Sequence, residues 1–276
     1  MKRLVEDASR EPPVLILRML SLTLAFLLGL CGVSRAADLD VDLELILAVD
    51  VSWSMDLDEQ ALQRQGYISA LQHADVINAI RSGLTGRIAV TYIEWGGPYN
   101  QQIVVPWTTV DGIEAARGFA AQLDSASISR FRGTSISSGL LFASPMFENN
   151  GFAGMRRVID ISGDGPNNMG IPATEARDSV LSNGITINGL PIMLKAHDGF
   201  YSIADLDVYY EDCVIGGPGA FIVPVQSLET IAEAIRRKLV LEIAGRPAEV
   251  IFAAEQRQSR RIDCLIGEKL FQRWMQ

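Results

Sequence analysis

The sequence predicts an α/β domain whose doubly wound, mostly parallel sheet carries one antiparallel edge strand. Three observations lead there. Leu45-Ile46-Leu47-Ala48-Val49 is an uninterrupted apolar run rich in branched side chains, the pattern of a central strand buried on both faces. Further runs of this kind alternate with helix-compatible segments, which places helices on both faces of one sheet. The link between the strand-like runs ending at Trp95 and starting at Gln102 is too short for a crossover helix, so that pair must form a hairpin at a sheet edge.

The elements follow in order. Residues 37–43 form a short acidic lead-in, a solvated edge rather than a calcium loop, because no glycine-centred EF-hand spacing follows. After the central strand, Asp56 and Asp58 stand at a helix start and Glu59 lies in its first turn. The proline-free stretch from there to about Ser82 reads as one helix, with Ala61, Ile68, Leu71 and Ala79 on one face and a stop at Gly83. A strand over 87–95 is closed by Gly96-Gly97-Pro98, and 102–107 is its hairpin partner. Helices are expected at about 110–123 and 135–144. A strand over 157–162 leads into an Asp164 loop, a helix over 173–183 lies between Pro172 and Gly184, and 185–192 is another strand. Bends at Asp198-Gly199 and Gly216-Gly217 frame Tyr209-Tyr210-Glu211-Asp212-Cys213. Residues 220–225 read as the last strand, and Ser227 caps a final helix to about Leu241. Beyond 245 only Glu249–Phe252 is strand-compatible, and the rest reads as a tail.

The first 36 residues stand apart. Lys2, Arg3, Arg10 and Arg18 precede an apolar run over 19–30, followed by small residues at Ser34 and Ala36, the layout of a secretory signal cleaved after Ala36. The run is about a dozen residues, short of the roughly 20 that span a bilayer. Leu28-Gly29-Leu30 puts a bulky Leu directly before Cys31, where lipoprotein signals carry a small residue, which speaks against lipidation there. The expected organisation is a signal peptide over 1–36, one domain over 37–244 and a C-terminal extension over 245–276 packed on it. Loss of 1–36 removes five of the 24 basic and three of the 33 acidic residues, so the net charge moves from −9 to −11. Such a surface repels nucleic acid. The expected location is periplasmic or secreted, with no stable membrane insertion after cleavage. Cys213 and Cys264 then remain; an even count in an exported chain suggests one disulfide, with two separate thiols as the alternative.

The chemistry concentrates behind the central strand. Asp50, Ser52 and Ser54 put a carboxylate and two hydroxyls on alternate residues of a turning backbone, and hard divalent cations prefer such oxygen ligands. Asp50 and Asp164 end strands, and Thr134 opens a helix in a loop able to reach them. Ligands of doubly wound sheets bind at that edge. Turn and cap chemistry is the plain alternative for each residue alone.

This D-x-S-x-S, with Gly133-Thr134 and Asp164-Gly165 following in order, resembles the metal-ion-dependent adhesion site of von Willebrand factor type A domains. The resemblance extends over about residues 42–242. It implies a Rossmann-like VWA fold in which Ser52, Ser54 and Thr134 offer hydroxyls to Mg²⁺ (Ca²⁺ or Mn²⁺ as alternatives), with Asp50 and Asp164 bound directly or through water. It also implies that a carboxylate of a partner protein completes the shell. Three further residues are candidates for partner contact. Trp53 either projects over the site or packs into a loop; Glu94 either reaches the metal shell or pairs with a basic residue; Asn167 either offers an amide or serves a turn.

Enzyme classes fare poorly. Asp50 is placed like the nucleophile of haloacid-dehalogenase-type phosphatases, but Ser52 stands where their general acid would be. No G-x-S-x-G elbow, H-E-x-x-H, P-loop or G-x-G-x-x-G is present, and the two histidines, His73 on a helix surface and His197 in a loop, adjoin no nucleophile. The expected function is cation-dependent binding of another periplasmic or envelope protein. The alternatives are a scaffold with a degenerate, metal-independent site and, further off, a metal-dependent hydrolase.

Overall fold

A computed structural model describes residues 37–194, 202–245 and 261–276. The expected signal segment, His197, the Asp198-Gly199 bend and the strand-compatible Glu249–Phe252 lie outside the described residues. Strands β1 (Leu39–Val41) and β2 (Glu44–Asp50) are followed by helices α1 (Leu57–Leu71) and α2 (Ala74–Arg81), then β3 (Ile88–Trp95) and β4 (Gln101–Val110). Next come α3 (Ile113–Ser125), α4 (Ile136–Ala143), β5 (Phe152–Gly154), β6 (Arg157–Gly163), α5 (Ala173–Ser182) and β7 (Thr186–Pro191). The chain continues through α6 (Leu206–Tyr209), which runs into a π-helical turn over Tyr210–Val214, to α7 (Ile231–Ala244) and α8 (Ile266–Trp274).

The main sheet has the order β4-β3-β2-β6-β7, parallel throughout except for β4, which is antiparallel to β3. Every residue of β2 and β3 is buried, as expected of strands covered on both faces. One face packs Leu45, Leu47, Tyr67, Leu71, Val90, Phe119, Ile235 and Leu239 beneath α1, α2, α3 and α7. The other packs Ile46, Ala48, Trp95, Leu140, Ile161, Ile187 and Tyr210 beneath α4, α5 and the 206–214 segment. After β2 the chain turns to the first face, and after β6 to the second. The C-terminal ends of these adjacent strands therefore open onto a switch-point crevice.

Four expectations are corrected. The single helix over 56–82 is two helices, because His73 ends the first segment and caps the second by accepting a hydrogen bond from the Asp75 amide on Nδ1. Residues 220–225 touch the edge of β7 only at bridges such as Ile192 to Val225, since Pro224 and Pro191 lack the amide donors a ladder needs. The acidic lead-in contains β1, which pairs in parallel with β5 as a separate two-stranded ribbon. The tail, expected as irregular chain, contains α8, while the Cys213–Cys264 disulfide that ties it back (Cα–Cα 5.5 Å) is the expected one. Among the described residues no helix is long and apolar enough to cross a membrane.

Candidate metal centre

Beyond Asp50 the chain leaves the sheet but stays anchored. The Val51 amide donates to the Trp95 carbonyl (2.9 Å), and Val51 and Trp53 exchange backbone hydrogen bonds with Phe131 (2.9 and 2.8 Å). This half-strand presents Ser52 and Ser54 to the crevice. The Ser52 amide donates to Asp50 Oδ1 at 2.7 Å, Ser52 and Ser54 share a hydroxyl hydrogen bond of 2.7 Å, and Ser54 Oγ donates to Asp164 Oδ1 at 2.6 Å. Thr134 Oγ1 reaches Ser52 Oγ at 3.4 Å. Helix α1 starts just behind, with Asp56 and Glu59 forming a reciprocal capping box.

The second and third loops are locked together by two asparagines. Asn168 Oδ1 accepts from the Thr134 amide (3.0 Å), while the Asn168 amide donates to the Thr134 carbonyl (2.9 Å). Asn167 Oδ1 accepts from the Ser137 amide (3.0 Å) in the first turn of α4, satisfying one of the donors that helix starts leave open. Gly133 makes the turn before Thr134 at φ +83°, and a side chain there would strike Met169.

The donor set fits a hard cation. Contacts of 2.6, 2.7 and 3.4 Å among hydroxyl and carboxylate oxygens bracket the about 3 Å edge of an octahedron with the bond lengths Mg²⁺ requires. Asp50 is completely buried, and its Oδ2 makes no hydrogen bond. Burial, and then the nearby Asp164 carboxylate, push the Asp50 carboxyl well above its usual range. Among the described residues no three His, Cys, Asp or Glu side chains gather around one point, so a cation here depends on the hydroxyls.

A family model described as "Protein of unknown function (DUF1194)" matches residues 40–247. The chain belongs to this family. No curated protein sequence matches it. The fold is that of von Willebrand factor type A domains, as solved structures of low identity indicate. The von Willebrand factor type A protein from Catenulispora acidiphila is 15% identical with a TM-score of 0.52, the match covering 74% of this chain and 43% of that one. Proximal thread matrix protein 1 from the mussel byssus is 15% identical at 0.53, covering 76% and 49%. The pilus adhesin SpaC from Lactobacillus rhamnosus GG, in its open conformation, is 14% identical at 0.52, covering 76% and 31%. The chain thus spans a third to a half of the length of these proteins.

In this DUF1194 chain the five expected ligands meet at one place, and the three expected partner contacts part company. Trp53 is 52% exposed, with the Arg132 guanidinium 4.7 Å above its ring. Glu94 is fully buried and pairs with Arg64 of α1, while its other oxygen accepts from Gln102 (2.9 Å) and the Ser129 amide (3.3 Å). The ion-pair alternative is therefore the observed one, because β3 turns this carboxylate toward α1 and away from the crevice. Asn167 is buried too; its amide nitrogen donates to the Ile171 carbonyl (3.1 Å) and to Glu268 of α8 (2.7 Å), so it ties the molecule together rather than facing outward.

Sequence reasoning missed the supports. Gln60 donates to the Ser52 carbonyl (3.2 Å), Gln63 donates to Ser162 (2.7 Å), and the Tyr209 hydroxyl accepts from the Asn167 amide (3.2 Å). Gln60 and Gln63 lie one turn apart on α1, and no sequence pattern marks them as facing the sheet.

Proposed function

We propose that this chain holds a divalent cation, Mg²⁺ first with Ca²⁺ or Mn²⁺ as alternatives, through Asp50, Ser52, Ser54, Thr134 and Asp164. We propose further that the site captures an acidic side chain of another periplasmic or envelope protein. The observation that carries this reading is the convergence of three loops on one cluster of oxygens at the C-terminal end of the central strand. When bound, the cation supplies the positive charge that a partner carboxylate needs. The hydroxyls of Ser52, Ser54 and Thr134 contribute no charge, so only the two carboxylates offset the cation, and an incoming acid can take a remaining position on it. Trp53 and Arg132 stand beside the site as the kind of aromatic and guanidinium anchors that dominate protein interfaces. A binding module is favoured over an enzyme, because the base beside Ser54 is Asp164 (2.6 Å), a carboxylate that the proposed cation would occupy.

The test is thermal unfolding in EDTA and with added Mg²⁺, Ca²⁺ or Mn²⁺, alongside capture of envelope proteins with and without chelator. The expected result is a higher midpoint with cation and capture that EDTA abolishes. No shift with any cation, together with capture unaffected by EDTA, would replace this reading with a metal-independent scaffold.

A further inference from the structure

The segment between β7 and α7 sends two consecutive tyrosines to the two carboxylate-bearing loops. Tyr209 holds the Asp164 loop through the Asn167 amide. Tyr210 begins a π-helical turn, a distortion that recurs at functional sites, and its ring lies in a slot made by two glycines. A Cβ on Gly189 would stand 2.6 Å from Tyr210 Cδ1. A Cβ on Gly163 would stand 3.0 Å from the Tyr210 hydroxyl and 2.9 Å from Asp50 Oδ2. The phenol and the carboxylate oxygen thus face one another across a bare glycine, within reach of one bridging water. Neither atom has a hydrogen-bond partner, and both residues are fully buried.

A buried hydroxyl without a partner is destabilising, and phenylalanine would fill the same slot without that penalty. Asp50 Oδ1 is already held by the Ser52 amide, so Oδ2 is the oxygen still in need of a donor. We propose that Tyr210 is a positioning residue of the metal centre, its phenol donating through one water to Asp50 Oδ2 and fixing the carboxylate in the orientation that cation binding requires. Groups that orient a ligand from behind set metal affinity strongly. Cys213, three residues on, pins this turn to the C-terminal segment, so the donor is held by a part of the chain remote from the three metal loops.

This inference rests on the metal-binding reading above, and the experiment separates the two. Mg²⁺ and Mn²⁺ affinities are measured by calorimetry for the full chain, Tyr210→Phe and Asp50→Ala, at a temperature where all three are folded. Unfolding midpoints are taken in EDTA. The expected result is an affinity about 10- to 100-fold weaker in Tyr210→Phe, with a midpoint in EDTA equal to or above that of the parent. Affinity within twofold of the parent, while Asp50→Ala binds nothing, would overturn the role of Tyr210 and leave the metal centre standing. A lower midpoint in EDTA with unchanged affinity would assign the hydroxyl to folding and overturn the role as well. A parent chain that binds neither cation removes both readings together.

Discussion

Strand β6 supplies two carboxylates four residues apart, Asp160 within the strand and Asp164 just past its end, and the fold treats their surroundings in opposite ways. Asp160 points beneath α7, where Lys238 Nζ lies 2.6 Å from its Oδ1 and also pairs with Glu242. Asn188 donates to Glu242 (3.1 Å), and the Phe221 ring lies 5.4 Å from the ammonium. All three charged side chains are buried, so the cluster carries its own cation and is closed. At the rim, Asp50 meets hydroxyls, a backbone amide and a second acid, with no basic side chain paired to it among the described residues. A closed cluster serves the fold, whereas a carboxylate surrounded by hydroxyls at a crevice suits the cation proposed for it.

That contrast can be broken from either side. The largest effect is expected for Lys238→Met, which leaves Asp160 and Glu242 buried without their cation. Loss of about 3–5 kcal/mol in denaturant unfolding is the anticipated result, and an unchanged midpoint would mean the cluster is not held by charge. Replacing both Cys213 and Cys264 by Ala should cost about 2–4 kcal/mol, measured the same way, because the bond closes a loop over a separation of 51 residues. At the rim, Asp50→Ala should leave stability in EDTA unchanged or higher, since it removes a buried acid beside another. It should abolish the roughly 2.7 kcal/mol that a cation at about 100 times its dissociation constant gives the parent.

A further effect concerns pH. Burial, and then the Asp160 carboxylate, push Glu242 from 4.5 up to about 7, against the opposing pull of Lys238. The folded chain then binds more protons than the unfolded chain between these values, so stability falls as pH rises from about 4.5 through about 7. Glu242→Gln should flatten that slope in unfolding midpoints taken across the interval. A slope that persists in the variant would place the titration elsewhere.

Legibility differed between the two regions for a physical reason. The proposed ligands at the rim, Asp50, Ser52, Ser54, Thr134 and Asp164, sit at strand ends and a helix start, where local residue order already sets which side chains converge. Glu94 was legible as a strand residue but not in its partner, because alternation gives the face of a strand and says nothing of which helix covers it. Arg64, thirty residues earlier on α1, supplied that answer. The same holds for Lys238 and Asp160, and for the Asn167–Glu268 contact that joins the Asp164 loop to α8.

By itself, then, the sequence determined the alternation of apolar strands and helices, the hairpin at Gly96-Gly97-Pro98, and the oxygen-rich turn after Asp50. Each depends on neighbours a few residues apart, through backbone period, turn geometry and side-chain type. Only the tertiary structure decided where one long helix breaks at His73, why 220–225 stays short of a strand, and which buried charges are paired. It also decided that the phenol of Tyr210 faces Asp50 across Gly163. These outcomes are set by distant segments competing for the same buried space, where an unpaired polar group is costly and its partner comes from wherever packing brings one.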